Sequence, residues 1–412
     1  MSRFTIAWFL CLILIAGCRN NAPLPTKPVD LTPDADQFSL AKDNLEFALD
    51  LYQQIANQSN GNVMISPYSI SSAIAMAYAG SRGETATQIA KVLRFRLEGE
   101  RLHRAFSLST QRMQVRAGEN GGELDIANAV WGQQGIDCSP AYLELTKRWY
   151  GARLRDLDFK EPEIARGTIN RWVAMQTREH IPALLGPNDL DAGTRLVITN
   201  AVYFQGMWKS PFPDGMTAEQ SFRVSGDRSV PVPMMSQHKQ ERYGEQPGFK
   251  ILRMRYSQPE FSMTILLPNS VDGLPALEKQ LTIANLQSWL EDCHDRNVRI
   301  SIPSFRSDHK YSLKSTLSAM RMRLPFDDDA DFSGISSERF KIGEVIHKSA
   351  IQVDECGTKA VAATAVVVNQ PVSQPAPPVI FRADHPFLYF ISDESTGSIL
   401  FMGRFIEPAR AE

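Results

Sequence analysis

The stretch 345–378 constrains this chain more than any other, because its two halves point to different environments. Residues 345–355 alternate as in a strand, and 357–368 continue with small and β-branched residues at a spacing that suits an inner sheet position. Prolines then follow, and proline cannot continue a central strand; they are Pro371, Pro375, Pro377 and Pro378. A potential buried strand that leads into a proline-rich exposed loop predicts a chain with two alternative states.

Composition places the chain among ordinary soluble globular proteins. It has 412 residues, of which 43% are hydrophobic and 22% are charged, and its formal net charge is −2. This balance argues against nucleic acid as a partner. No linker, charge block or internal repeat interrupts the body, so we expect one large domain over 37–412.

The N-terminus predicts export and anchoring. Arg3 precedes an apolar stretch, 6–15, that is too short to span a bilayer and fits a secretion signal. The residues Ile15-Ala16-Gly17-Cys18 resemble the bacterial lipobox, in which the cysteine is lipidated and becomes the mature N-terminus. An ordinary secretory signal with a chance cysteine is the alternative.

We therefore expect a lipoprotein signal peptide over 1–17, a lipid on Cys18 and a proline-rich, semi-extended tether over 18–36. The expected location is the bacterial cell envelope, at the outer membrane or the cell surface, with the membrane contacted through the lipid. Arg19 after the cysteine resembles an outer-membrane address.

The sequence gives little support for an enzyme or a metalloprotein. Cys138, Cys293 and Cys356 are too widely spaced for a metal pattern and define no disulfide framework. The acidic run 327–331 lacks the glycine and glutamate of a calcium loop and fits a solvated loop. Nucleophile-elbow, zinc-protease and phosphate-loop motifs are missing from the sequence. We expect no catalytic residue, no metal and no cofactor.

Helical and strand patterns occur in separate runs, which favours an α+β architecture with several sheets. A first helix carries an apolar stripe of Phe38, Ala41, Leu45, Ala48, Tyr52 and Ile55. A second helix follows Ser66-Pro67, and a third is expected around 169–176. Besides 345–355, strands are predicted at 124–131, 196–204, 251–256, 261–267, 298–302, 386–392 and 398–405.

Several separate patches resemble the serpins, the protease inhibitors that trap their targets. The patches are 62–70, 199–208, 330–335, 346–350 and 381–391, together with the hinge-like stretch after 345. The resemblance covers roughly 38–408 and implies the serpin fold, with three β-sheets, about nine helices and an exposed reactive-centre loop at about 356–378.

The resemblance also implies site residues in the body of the protein. It assigns Ser66, Ser69, Asn200 and His347 to a buried polar cluster, the shutter, beneath the main sheet, and Trp208 to the breach at the end of a central strand. From the residues alone, a histidine on a strand with apolar alternates is more often a hydrogen-bonded core residue than a titrating switch. If His347 is buried, its ring nitrogens need partners.

In serpins the cleaved loop enters the main sheet as an additional strand. The resemblance implies a hinge formed by Glu355, Gly357, Thr358, Ala360, Ala362 and Thr364. The inward set of an inserted strand begins at Thr358 and takes every second residue to Val368, all uncharged and compact. Lys359, Val361 and Cys356 depart from the family pattern, but they lie outside that set.

The expected activity is suicide-substrate inhibition of a serine, or alternatively a cysteine, endopeptidase. We place the scissile bond at Val372–Ser373, with Pro371–Val372 as the alternative, because a small aliphatic residue suits a shallow elastase-like pocket. The expected partner is an elastase-like or subtilisin-like protease that meets a monomer. Two alternatives remain: a non-inhibitory serpin-fold surface binding protein, motivated by Lys359 and Val361, and polymerisation through the open sheet.

Overall fold

A computed structural model describes residues 31–151, 154–357 and 377–408. Nine α-helices lie within these residues: α1 Ala35–Ala56, α2 Pro67–Gly80, α3 Gly83–Val92, α4 Glu100–Gly118, α5 Pro140–Tyr150, α6 Pro162–Gln176, α7 Leu274–Gln280, α8 Ile283–Glu291 and α9 Lys314–Ala319. No helix of this part of the chain combines the length and apolar character needed to cross a membrane.

Fourteen strands lie within the same residues. They are β1 Val63–Ile65, β2 Glu123–Gln133, β3 Arg155–Leu157, β4 Leu196–Gln205, β5 Thr217–Arg223, β6 Ser229–Gln246, β7 Phe249–Arg255, β8 Phe261–Pro268, β9 His294–Pro303, β10 Phe305–Ser312, β11 Glu344–Val353, β12 Val379–Arg382, β13 Phe387–Asp393 and β14 Ile399–Phe405. The expected α+β class is confirmed.

Hydrogen bonds among the described residues join the strands into two sheets. One has the order β10-β11-β4-β2-β3, and the other runs β1-β14-β13-β8-β7-β6-β9-β12 with β5 beside β6. Three sheets were expected, and the difference lies in β6, which has 18 residues. Its successive parts pair with β5, β9 and β7. Through these pairings β6 joins the strands of two expected sheets into one hydrogen-bonded sheet.

Helix α2 lies between the two sheets and contacts β2, β4 and β14. Pro67 occupies its first turn, where a missing N–H leaves no helical bond unmade. Ser69, Ser72 and Ala75 on its small face are buried, which lets the strands approach closely.

Helix α1 differs from expectation at its first turn. Asp34 caps it and forms a reciprocal capping box with Gln37, so the helix begins inside the segment assigned to the tether. Phe38, predicted in the apolar stripe, is 49% exposed. Gln37 takes the inward position instead and donates a hydrogen bond to Ser109 on α4. The other members of the stripe are buried.

Candidate functional site

The five-stranded sheet has a seam at its centre. β4 and β11 pair in parallel from Val197–Glu344 to Tyr203–Ala350, whereas each pairs antiparallel with its other neighbour, β2 or β10. Parallel pairing is slightly less stable per residue than antiparallel pairing. A segment that entered between them, antiparallel to both, would replace one parallel pairing by two antiparallel ones. We call the β4–β11 pairing the central seam.

A buried polar cluster lies under the central seam. His347 and Asn200 are register partners across it, and His347 Nδ1 lies 2.5 Å from Asn200 Oδ1. The Asn200 amide donates to Ser69 Oγ and to Asn128 Oδ1. The backbone N–H of Ser66 donates to His347 Nε2 over 3.1 Å. The structure therefore brings together all four residues that the resemblance groups as the shutter.

These bonds fix the protonation of His347. Because Nε2 accepts a hydrogen bond, the ring proton lies on Nδ1 and is donated to Asn200. Complete burial, with a smaller contribution from His309, lowers the pKa of His347 to about 3. The imidazole is neutral at physiological pH and serves as a fixed hydrogen-bonding link, which agrees with the structural interpretation of its sequence pattern.

Two details of this cluster were not predicted. Ser66 takes part through its backbone N–H, since the bond from Ser66 to the imidazole starts at the main chain. Asn128 on β2 extends the network to a third strand, and its register partner is Asn200. Asn128 lies in a predicted strand, but the sequence carries no signal for which residue faces it across the sheet.

The hinge contains a glycine at a position where the backbone requires one. Gly357 has φ +132, a value that L side chains rarely adopt. A Cβ there would lie 2.1 Å from the Gly206 carbonyl oxygen and 2.6 Å from Met207 Cα. Gly357 therefore lets the chain after β11 pass directly against the chain after β4.

Trp208 lies beyond the C-terminal ends of β4 and β11, away from the His347 cluster. Its indole N–H donates to the Asp354 carbonyl over 2.9 Å, and its ring stacks on Tyr256 at 4.6 Å. Its backbone N–H donates to the Cys356 carbonyl over 2.8 Å. Trp208 thus links the ends of β4 and β11, the position that the resemblance calls the breach.

Glu355 and Cys356 complete the contacts of the described hinge. The Glu355 carbonyl accepts from the Phe212 N–H, and its carboxylate accepts from the Thr217 hydroxyl at 2.5 Å. Burial, and then the nearby carboxylates of which Asp354 is the strongest, raise the pKa of the Cys356 thiol. A raised pKa keeps the thiol protonated and less reactive.

The chain leaves one sheet at the hinge and joins the other at β12. Val379 starts β12, which pairs in parallel with β9 at the edge of the nine-stranded sheet. The remaining predicted hinge and scissile residues lie outside the described residues: Thr358, Ala360, Ala362, Thr364, Pro371, Val372 and Ser373. The signal peptide and Cys18 also lie outside them.

Comparison with known proteins decides the family. The family model described as Serpin (serine protease inhibitor) matches residues 42–408. The chain belongs to the serpin family. It is 39% identical over 383 residues to the human leukocyte elastase inhibitor, covering 90% of this chain and 99% of that protein. It is 37% identical over 399 residues to Serpin B10 of Bos taurus, with 90% and 99% covered.

Solved structures agree with this assignment. Uncleaved ovalbumin superposes with a TM-score of 0.81 at 30% identity, covering 90% of this serpin and all of the ovalbumin chain. Human thyroxine-binding globulin gives 0.83 at 27% identity, with 91% and 100% covered. The serpin fold is therefore established. The family is described as one of serine protease inhibitors, and the human relative is named as an inhibitor.

Proposed function

We propose that this serpin is a suicide-substrate inhibitor that traps a serine endopeptidase by inserting its cleaved loop into the central seam. The observation that carries the proposal is the parallel β4–β11 pairing, with a glycine hinge at the end of β11. The chain that leaves this hinge can turn back antiparallel to β11, and antiparallel to β4 as well.

The covalent step is an ordinary acyl transfer to the serine of the protease. The protease serine hydroxyl attacks the carbonyl carbon of Val372, the Val372–Ser373 amide bond breaks, and the hydroxyl proton passes through the protease's base to the new Ser373 amine. An ester then joins Val372 to the protease. Inhibition requires insertion to move the protease before water hydrolyses this ester.

Magnitudes show that hydrogen bonds alone do not drive insertion. About a dozen inserted residues at roughly 0.5–1.5 kcal/mol per hydrogen bond give on the order of 10 kcal/mol. Ordering the backbone costs about 1–2 kcal/mol per residue and offsets this gain. Burial of the inward set from Thr358 to Val368 and relief of strain must therefore supply the difference.

The target in this proposal is an elastase-like or subtilisin-like protease, met by a monomeric serpin. Val372 is small enough for a shallow specificity pocket, and the human relative is named for elastase inhibition. Pro371–Val372 is the alternative scissile bond. We further propose a bacterial lipoprotein, anchored through Cys18 at the outer membrane or cell surface, on the strength of Ile15-Ala16-Gly17-Cys18 and the prolines after it.

The test incubates the chain, freed of its signal peptide, with elastase-like, trypsin-like and subtilisin-like proteases. We expect a denaturant-resistant adduct with one of them and a released peptide whose mass places its first residue at Ser373. A peptide that begins elsewhere would move the scissile bond while leaving the mechanism intact.

Thr358→Arg tests insertion separately from cleavage. Arginine on the inward set places a charge where the strand must be buried, so we expect cleavage without adduct. Lys359→Arg is the matched control, because it keeps the charge on the outward set and should keep the adduct. A normal adduct yield from Thr358→Arg would contradict the insertion mechanism.

A second candidate function is that of a non-inhibitory surface binding protein. Lys359 and Val361 depart from the family's hinge pattern. The structurally similar human thyroxine-binding globulin was solved in complex with thyroxine. A melting temperature that does not change when the loop is cut, together with the lack of any adduct, would favour this function.

A further inference from the structure

The segment between β4 and β5 lies against the hinge, and we call its residues 209–216 the clasp. The structure describes all of these residues, and they form no strand. Phe212 is the buried residue of the clasp, at 2% exposed, and the other seven residues are exposed to solvent. Because so little of the clasp is packed, a few specific contacts must fix its position.

The clasp holds the turn at which the loop begins. The Phe212 N–H donates to the Glu355 carbonyl over 2.8 Å. Glu355 lies in the turn between Asp354 and Gly357, whose backbones exchange hydrogen bonds of 2.8 and 3.2 Å. Gly357 also forms an antiparallel bridge with Met207. Gly357 is therefore already paired with the chain on both sides of the central seam, and an inserted strand would continue from these contacts.

One lysine of β6 also contacts the clasp. Lys239 Nζ donates to the Ser210 carbonyl over 3.0 Å and lies over the Phe212 ring, 5.9 Å from its centre. A cation at that distance from the face of an aromatic ring is attracted to it. Lys239 therefore holds the buried residue of the clasp, whose own N–H holds Glu355.

Lys239 is enclosed together with a carboxylate. Its Nζ lies 3.1 Å from Glu241 Oε1, and the two side chains are only 12% and 5% exposed. The other carboxylate oxygen, Glu241 Oε2, is buried and has no hydrogen-bond partner among the described residues. Burial lowers the pKa of Lys239 and raises the pKa of Glu241, in each case against the attraction between the two groups. The cost of burying these charges thus outweighs their pairing.

A buried ion pair of this kind contributes little net stability. Replacing such a pair by apolar residues of similar volume is often neutral or stabilising, whereas removing one partner alone is strongly destabilising. Ser210 is exposed to solvent, so its carbonyl can bond to water when the lysine is absent. The contacts of Lys239 therefore decide where the clasp lies more than whether the protein folds.

We propose that Lys239, held by Glu241, is a positioning residue for loop insertion. Through the clasp it fixes Glu355 and keeps Gly357 paired at the end of the central seam. The effect on the hinge stands by itself, and the effect on inhibition rests on the proposed function. When Gly357 is already paired, the inserted strand lengthens from existing contacts. When the clasp is loose, the hinge moves, and more of the ester is hydrolysed before insertion.

The variant that tests this role combines Lys239→Met with Glu241→Leu. It removes both charges and keeps most of the side-chain volume, so no buried charge loses its partner. We expect its melting temperature to equal or exceed that of the wild type.

The matched control combines Arg253→Met with Glu394→Leu. This ion pair involves β7 of the same sheet and is also partly enclosed, with side chains 11% and 28% exposed. Arg253 and Glu394 line a cavity together with residues of α1 and α8. The control should leave both the hinge and the inhibition as in the wild type.

Hydrogen–deuterium exchange of the serpin with an intact loop measures the hinge without any protease. The reporters are the amides of Phe212 and Trp208, which donate to the carbonyls of Glu355 and Cys356. In the Lys239→Met/Glu241→Leu variant we expect their protection to fall about tenfold, as loss of one ordinary hydrogen bond predicts, while the amides of β8 stay unchanged. A fall of less than twofold would overturn the proposal, whatever the melting temperature.

The number of serpin molecules consumed for each protease molecule inhibited tests the link to insertion. With a protease that forms adducts, we expect this number to rise several-fold in the Lys239→Met/Glu241→Leu variant, at an unchanged rate of loop cleavage. A purely structural role of the pair would not move it at an unchanged melting temperature. The same number as in the wild type, despite lowered protection at Phe212, would overturn the role in insertion.

Two results separate this role from the proposed function. If no protease forms an adduct with the wild-type serpin, the proposed function is wrong, whereas the exchange experiment still decides whether Lys239 holds the hinge. If the wild type and the Lys239→Met/Glu241→Leu variant form adducts equally well, the positioning role is wrong and the proposed function stands.

Discussion

Two seams in the molecule have opposite character. Between β8 and β13 the pairing is antiparallel, and every residue of both strands is buried. Its register partners include Leu266–Leu388 and Ile265–Tyr389. The central seam is parallel and pairs Asn200 with His347, above a network of hydrogen bonds to α2.

The two pairings differ in how much free energy it costs to separate their strands. Separating β8 from β13 would expose large apolar surface on both faces, at roughly 25 cal/mol per Å². Separating β4 from β11 breaks a weaker pairing, and the hydrogen bonds of the Asn200–His347 cluster at its centre can exchange partners. The same molecule therefore contains a pairing that resists separation and, in the proposed mechanism, a pairing that admits one more strand.

The largest expected loss of stability comes from a substitution in the β8–β13 pairing. Phe390 of β13 is 2% exposed, so Phe390→Ala should lower the free energy of unfolding by about 3–5 kcal/mol. The loss should be equal in intact and loop-cleaved protein, as measured by chemical denaturation. Ile265→Val on β8 is the milder control, at about 0.5–1.5 kcal/mol. A loss confined to one form would show that this seam also rearranges.

A smaller effect is expected at the central seam. His347→Leu removes the acceptor of the Ser66 N–H and the donor to Asn200, leaving two buried polar groups without partners. At about 1–2 kcal/mol for each group, in the lower part of the range for unsatisfied buried groups, the intact protein should lose about 2–4 kcal/mol. Tyr311→Phe, which removes only a hydroxyl 3.4 Å from the Met64 N–H, should cost less than 1 kcal/mol. Equal losses would refute the central role of the imidazole.

The free energy of unfolding should depend on pH, because the central seam contains a buried neutral histidine. His347 and His103 are buried and neutral, and their pKa values are lowered to about 3 and about 4. The unfolded chain takes up these protons near pH 6.5, so the stability they contribute is present above that pH and is lost as pH falls from about 6.5 towards 3. Each histidine adds a slope of up to about 1.4 kcal/mol per pH unit.

His347→Leu should remove only its own share of that slope, and the remainder comes from His103, from His309, whose pKa burial also lowers, and from the carboxyl groups. Denaturation curves at half-unit steps from pH 7 to pH 4 measure both. An unchanged slope in His347→Leu would mean that the imidazole is not held neutral in the folded protein.

The sequence predicted strands best where they are apolar on both faces. The strands predicted at 196–204 and 261–267 correspond closely to β4 and β8. The long β6 was missed, because Pro231 and Pro233 interrupt its strand signal and residues 236–242 are all polar. Helix α4 was missed because its core-facing side includes Arg112, whose charge is neutralised by Asp393 on β13.

In the candidate site, the sequence located some residues, whereas other contacts are visible only in the fold. The resemblance located His347 and Asn200, and the alternation around His347 predicted a buried hydrogen-bonded histidine. The contact of Asn128 with Asn200 depends on the register between strands far apart in sequence.

The most direct test of this account is the melting temperature of the serpin before and after a single cut in the loop 358–376, with both fragments retained. The account predicts a large rise, because the freed segment becomes a sixth strand between β4 and β11. Equal melting temperatures for the cut and uncut protein would contradict it, since the central seam would then have accepted nothing.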